Sequence, residues 1–205
     1  MKKTLTILCF ITCCITYGQD VVKPIEQYYT YSDQNNIYFK DVNLILNKFL
    51  GSWEYSTQNE YFKITLVKYE KTKVQATTLS QHTDRINTDF IYKQKINNEW
   101  VTVYNTYSSQ GNPGSFYIWG DEVKNFSVII LFYTEPPVSG TCERNRYGNI
   151  VLDFVTSAQG SAPKIQWQRQ EISLGYNPNE PCPDGTARDA TSFKIPAEML
   201  LTKIN

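Results

Sequence analysis

The chain has 205 residues with 20 basic and 20 acidic side chains, and it carries 15 tyrosines beside 10 phenylalanines and 4 tryptophans. Balanced charge excludes the clustered basic excess of a nucleic-acid binder and offers no steering toward anionic lipid. High aromatic content at low net charge excludes a disordered chain, and the wealth of Tyr, Thr, Ile and Val favours β-structure.

Taken in chain order, the sequence begins with an export signal. Lys2 and Lys3 precede a mostly apolar run from Leu5 to Ile15, and Thr16-Tyr17-Gly18 supplies small residues at its first and third positions before Gln19. The run is too short to span a bilayer and has the layout of a cleaved secretory leader. Residues 1–18 are therefore expected to be a signal peptide, and 19–205 one exported domain, periplasmic or extracellular. Loss of Lys2 and Lys3 leaves 18 basic against 20 acidic residues. The remaining chain of roughly 186 residues is enough for one domain with its own core. Cys14 opens a lesser alternative, a lipid anchor, but its predecessor is Cys13 where a lipoprotein signal has a small residue. No later run approaches the ~18 apolar residues of a membrane helix.

Residues 20–40 read as an extended, Tyr-rich entry. Asp41 stands as an N-cap before Val42, Ile45, Leu46 and Phe49 at helical spacing, which predicts one short helix over 41–50 closed by Gly51. The period then changes to two. Trp53 and Tyr55 alternate with polar neighbours, as do Phe62, Ile64 and Leu66, with turns expected at Gln58-Asn59-Glu60 and Lys71-Thr72. The clearest hairpin covers 89–104. A two-residue turn at Asn97-Asn98 pairs Ile96 with Glu99, Gln94 with Val101 and Tyr92 with Val103. That register puts Phe90, Tyr92, Ile96, Val101 and Val103 on one face.

Gly111-Asn112-Pro113-Gly114 is a turn. Strands follow at 115–119, at 126–133 (apolar on both faces and ended by Pro136-Pro137), at 149–155 and at 164–169. A long loop over 173–192 precedes a last short strand at 199–204. Nine or ten short strands in a meander predict an all-β fold: an antiparallel up-and-down barrel, with a two-sheet sandwich as the alternative, and one short helix before the first strand.

Two cysteines outlast the leader. Cys142 and Cys182 in an exported chain predict a disulfide closing a loop of about 40 residues, worth roughly 3–4 kcal/mol on the chain-entropy account.

A helix followed by Gly51-Ser52-Trp53 at the start of the first strand resembles the lipocalin-like barrels. The resemblance implies that Trp53 plugs one barrel end with a basic residue from a late strand packed across it, a role it assigns to Arg169. The mature chain, from Tyr38-Phe39 through Gly51-Ser52-Trp53 to Ile195-Pro196-Ala197-Glu198-Met199, also resembles an uncharacterised family of small exported bacterial proteins. That family brings no catalytic residues with it.

Chemistry-bearing patterns are sparse. His82 is the only histidine, and it sits in a polar stretch with no Ser or Asp at triad-like separation. Cys142 and Cys182 lack the clustered spacing of zinc ligands, and Asp153 and Glu143 have no identifiable carboxylate partner. Hence no catalytic residue, metal or cofactor is expected, and the protein reads as a noncatalytic binder. A lipocalin-like barrel places Trp53, Phe62, Ile64, Tyr92 and Val103 inside, as candidate contacts to a small apolar or amphipathic ligand. The alternative is an interaction module for an envelope protein or glycan, for which Trp100, Tyr104, Tyr117 and Trp119 are the candidate outward aromatics.

Overall fold

A computed structural model describes residues 20–74, 78–107, 117–137, 139–141, 146–155, 158–172 and 181–204. Its strands are β1 (Val21–Pro24), β2 (Ile37–Lys40), β3 (Gly51–Ser56), β4 (Glu60–Lys73), β5 (Gln81–Ile96), β6 (Glu99–Asn105), β7 (Ile118–Asn125), β8 (Val128–Tyr133), β9 (Tyr147–Val155), β10 (Lys164–Ile172) and β11 (Glu198–Ile204). A one-turn helix α1 (Tyr28–Tyr31) and 3-10 turns at Ile25–Gln27 and Leu46–Lys48 all precede β3.

Strands β3, β4, β5, β7, β8, β9, β10 and β11 close an antiparallel barrel of 8 strands. The last strand returns to the first through Thr202↔Glu54, Lys203↔Trp53 and Ile204↔Ser52. The other seam is short: among the described residues β5 pairs with β7 at Ile86↔Gly120 and Asn87↔Trp119, and Thr88 Oγ1 donates to the Ile118 carbonyl beside them. On the outer wall of that seam the Arg85 guanidinium lies 4.3 Å from the Trp119 ring centre, and Trp119, Phe132 and Tyr147 follow side by side across β7, β8 and β9. The all-β barrel is thus the fold, and a continuous closed sheet replaces the sandwich alternative. Strands β1 and β2 add in parallel at one end of β5, and β6 adds antiparallel at its other end.

Eight strands leave an interior just wide enough for side chains to fill. Trp53, Phe62, Phe90, Tyr92, Tyr133 and Trp167 fill it, each with 0 % exposure. They meet edge to face: Phe62 on Trp167 at 5.3 Å, Tyr133 on Trp167 at 5.9 Å, and Phe193 on Tyr133 at 4.8 Å. A hollow able to hold water would leave accessible area on its walls, and these walls have none.

The N-terminal residues close one end. Ile25, Phe39, Leu46 and Phe49 are buried there. Trp53 Nε1 donates to the Phe49 carbonyl at 2.7 Å, and Lys203 Nζ lies 5.3 Å from the Trp53 ring centre. The cation across Trp53 is therefore Lys203, its direct cross-strand partner. Arg169, expected in that role, lies at the opposite end over Phe193.

Three local expectations change. Segment 41–50 forms a 3-10 turn in place of a helix, because the Asp41 carboxylate accepts from Ile45 N and Leu46 N, and Leu44 takes a left-handed φ of 54° between them. Lys71-Thr72 is a bulge inside β4 rather than a turn: Lys71 has φ 51° and the strand continues to Lys73. The hairpin turn at Asn97-Asn98 is as expected, with φ of 51° and 70° and Ile96 opposite Glu99. A register shift between Tyr92 and Lys93 then pairs Tyr92 with Tyr104 instead of Val103. Expected turn 111–114 and residues 173–180 of the long loop lie outside the described residues.

Two glycines have geometric reasons. Gly51 enters β3 at φ +103°, a conformation that disfavours any side chain. At Gly148 an added Cβ would stand 2.6 Å from the Gln170 carbonyl oxygen, which is backbone of the paired strand. Gly148→Ala must push β9 away from β10, so urea denaturation is expected to show a loss of about 1–3 kcal/mol. An unchanged midpoint would mean the two strands do not approach this closely.

Candidate functional site

The barrel end opposite Trp53 is built around one carboxylate. Strand β8 delivers Tyr133 inward, and Glu135 follows two residues later, just before Pro136-Pro137 halts the strand. Glu135 is 1 % exposed. Its Oε1 accepts from the Tyr133 hydroxyl and from the backbone N–H groups of Lys194 and Ile195, and its Oε2 accepts from the Tyr104 hydroxyl at 2.8 Å and again from Lys194 N. A buried carboxylate needs such donors to offset its lost hydration. In supplying two of them, residues 193–196 are drawn across the barrel mouth as a strap. Arg169 of β10 holds the strap from the other side: its Nη1 donates to the Ile195 carbonyl, and its guanidinium lies 5.0 Å from the Phe193 ring centre.

Beside the strap is a pocket of about 360 Å³. Val103, Tyr104, Asn105 and Thr106 line it from the end of β6, Tyr117 from the entry to β7, Pro136, Pro137 and Ser139 from the exit of β8, and Lys194 from the strap. Tyr104 forms its floor because its hydroxyl is tied to Glu135 beneath. The exposed Lys194 side chain stands at the rim, with Nζ 5.9 Å from the Tyr104 ring centre. The chemistry offered is an aromatic and proline wall, a few polar groups and one ammonium.

The residues expected inside the barrel divide. Trp53, Phe62, Ile64 and Tyr92 are interior, at 1 % exposure or less. Val103 is not: the β6 bulge turns it out of the interior line, and it becomes a wall of the rim pocket. Tyr104 takes its place. Of the outward aromatics, Trp100 is 48 % exposed near the hairpin tip, Tyr117 lines the pocket and Trp119 braces the outer wall. Cys182 is buried and disulfide-bonded. Cys142, Glu143, Cys14 and the leader lie outside the described residues.

His82 lies in β5 at the far end, its Nδ1 3.1 Å from an Asp20 carboxylate oxygen that Lys71 also approaches at 3.2 Å. Among the described residues no group of three or more His, Cys, Asp or Glu side chains is placed to hold a metal, and no helix is long and apolar enough to cross a membrane. Sequence reasoning missed Glu135 and the strap. The signal was a lone acid between an apolar strand and a Pro-Pro stop, but its partners lie about 60 residues further along the chain.

A model of a family of unknown function (DUF6705) matches residues 1–204. No curated protein and no solved structure matches the chain.

Two outcomes are expected at this end of the barrel. Glu135→Gln keeps the shape but aims an amide NH2 at groups that themselves donate. It should cost about 2–4 kcal/mol in denaturant unfolding and make the strap the first site of limited proteolysis. A variant as stable and protease-resistant as the parent would show that the carboxylate does not hold the strap.

The second outcome concerns alkaline pH. Burial and the facing Glu135 carboxylate hold the Tyr133 phenol well above its usual value of 10.0. Burial likewise raises Tyr92 and Tyr38, helped by Glu60 and Asp84 respectively. Above pH 10 the unfolded chain releases protons that the folded chain keeps, so the stability these groups contribute is complete below about pH 10 and is lost as pH rises beyond it. Absorbance at 295 nm should therefore show these phenols ionising only together with loss of near-ultraviolet circular dichroism. Titration of every tyrosine near pH 10 in a folded protein would contradict it.

Proposed function

The chain belongs to the family of unknown function DUF6705, and from its own geometry we propose that it is an exported, noncatalytic binding protein whose barrel is a solid scaffold and whose site is the rim pocket. The observation that carries this reading is where space is found. The interior is occupied by Trp53, Phe62, Tyr92, Tyr133 and Trp167, whereas the rim offers a pocket of about 360 Å³, inside the usual range of roughly 300–1,000 Å³ for small-molecule sites. Ligand carriage in the manner of a hollow lipocalin-like barrel would require several of those rings to leave.

Export is supported by the leader-like first eighteen residues and by the disulfide at Cys182. Its natural partner is Cys142, the one other cysteine beyond the leader, and an oxidising compartment is where such a bond persists. A second reading, an interaction module for protein or glycan, draws on the β5–β6 hairpin, where Ile96, Trp100 and Val101 are 50, 48 and 42 % exposed. A projecting tip with an exposed Trp is the usual form of a protein anchor.

Amide chemical-shift mapping with a panel of small amphiphiles separates these readings. Shifts at Tyr104, Tyr117 and Lys194 are expected, and a fluorescent long-chain fatty acid should show no saturable binding at micromolar protein. Shifts centred on Phe62, Ile64 and Trp167, or stoichiometric fatty-acid uptake, would overturn the solid-scaffold reading. Partner capture abolished by Trp100→Ala, with a silent rim pocket, would favour the hairpin instead.

A further inference from the structure

The rim pocket combines two features that select a ligand class. Tyr104, Tyr117, Val103 and the Pro136-Pro137 pair give it a rigid apolar wall, and Lys194 gives it one cation among the described residues. The wall is fixed in place. Tyr104 is only 7 % exposed and hydrogen-bonded through its hydroxyl to Glu135, and two successive prolines have little backbone freedom to lose on binding. The cation is the mobile part. Lys194 is anchored through its backbone N–H, which donates to Glu135, so its side chain is free of structural duty. No carboxylate lies within ion-pair distance of its Nζ among the described residues. Glu135 is buried below the pocket floor with its oxygens occupied by hydroxyl and backbone donors.

From this we infer that the rim pocket, taken as the binding site argued above, is selective for a small organic carboxylate with a ring-sized apolar body. The apolar body lies against Tyr117, Val103 and the proline pair, over the Tyr104 ring, and its carboxylate meets the Lys194 ammonium at the rim. The pocket's size sets the scale. At about 360 Å³ it sits near the lower limit for small-molecule sites and suits a single ring with a short acidic arm rather than a long acyl chain. Selectivity for the anion comes from the Lys194 ammonium at the rim. A neutral analogue keeps the apolar contact and loses the charge-assisted one, and a cationic analogue is repelled.

Three probes of one shape test this on the full-length protein: 3-phenylpropanoate, its neutral amide 3-phenylpropanamide, and 3-phenylpropylammonium. Binding is read by amide shifts at Tyr104, Tyr117 and Lys194. The carboxylate should bind about five- to tenfold more tightly than the amide, the worth of one partly exposed charge-assisted hydrogen bond, and the cation should bind most weakly. Lys194→Met should erase the difference between carboxylate and amide while leaving amide binding and the near-ultraviolet spectrum unchanged. His82→Ala, at the far end of the barrel, should change nothing. Equal or tighter binding of the amide or the cation at these residues would overturn the anion selectivity and leave the rim site standing. Absence of shifts at these residues with every probe would overturn both.

Discussion

A closed ring of eight strands has a radius set by strand number and stagger, and the space inside is just enough to be filled by side chains or to hold one small ligand. The length of the inward side chains decides which. Here they are long. Trp53, Phe62, Phe90, Tyr92, Trp167 and Tyr133 form an aromatic column, in which Tyr92, Phe62, Trp167 and Tyr133 meet in successive edge-to-face contacts that suit their ring quadrupoles. Burying each such side chain contributes about 1.5–3 kcal/mol. The column therefore stabilises the closed sheet and also denies it the use to which wider or emptier barrels are put.

Both ends are closed by the same device, a buried carboxylate that gathers backbone N–H groups and tyrosine hydroxyls. At the Trp53 end, Asp84 accepts from the Tyr38 hydroxyl, Asp41 N and Lys71 N, while Asp41 in turn accepts from Ile45 N and Leu46 N. At the other end Glu135 does this for Tyr133, Tyr104 and the strap. Such a group is costly to bury and costlier to leave unmet, so each carboxylate dictates where the irregular chain around it must run. The N-terminal plug and the C-terminal strap are shaped by these acceptors more than by any local propensity. Burial still leaves its mark on Asp41, whose carboxyl is raised above its usual range despite the two backbone donors and the nearby Lys68.

The rim pocket follows from imperfections in the sheet. β5 has two registered pairs with β7 before β6 takes over its edge. The bulge after Tyr92 then brings Tyr104 inward and rotates Val103 out. The pocket lies where the end of β6, the entry to β7 and the Pro136-Pro137 exit of β8 come together. The outer braces at Arg85 and Trp119 sit beside this weak seam and support it where backbone pairing is thin.

Much of the fold was legible locally. Period-two alternation located β3, β4 and β5, Asn97-Asn98 announced a turn with two left-handed residues, and Asp41 announced a cap. These follow from backbone sterics and near neighbours, which a sequence carries within a few residues. The same locality explains the errors. Asp41 caps a 3-10 turn, with its own backbone N–H donating to the Asp84 carboxylate forty-three positions away, and Val103 lost its inward place to a bulge that no periodicity records. Lys203 rather than Arg169 crosses Trp53, because barrel closure makes Lys203 its neighbour. By itself, then, the sequence determined an all-β chain, its strands and the aromatic residues that make its core. Only tertiary structure decided that six large aromatic side chains are buried together inside the barrel, that Glu135 binds a strap from 60 residues away, and that a pocket opens at the rim, because those outcomes depend on distant segments competing for the same confined volume and the same few polar partners.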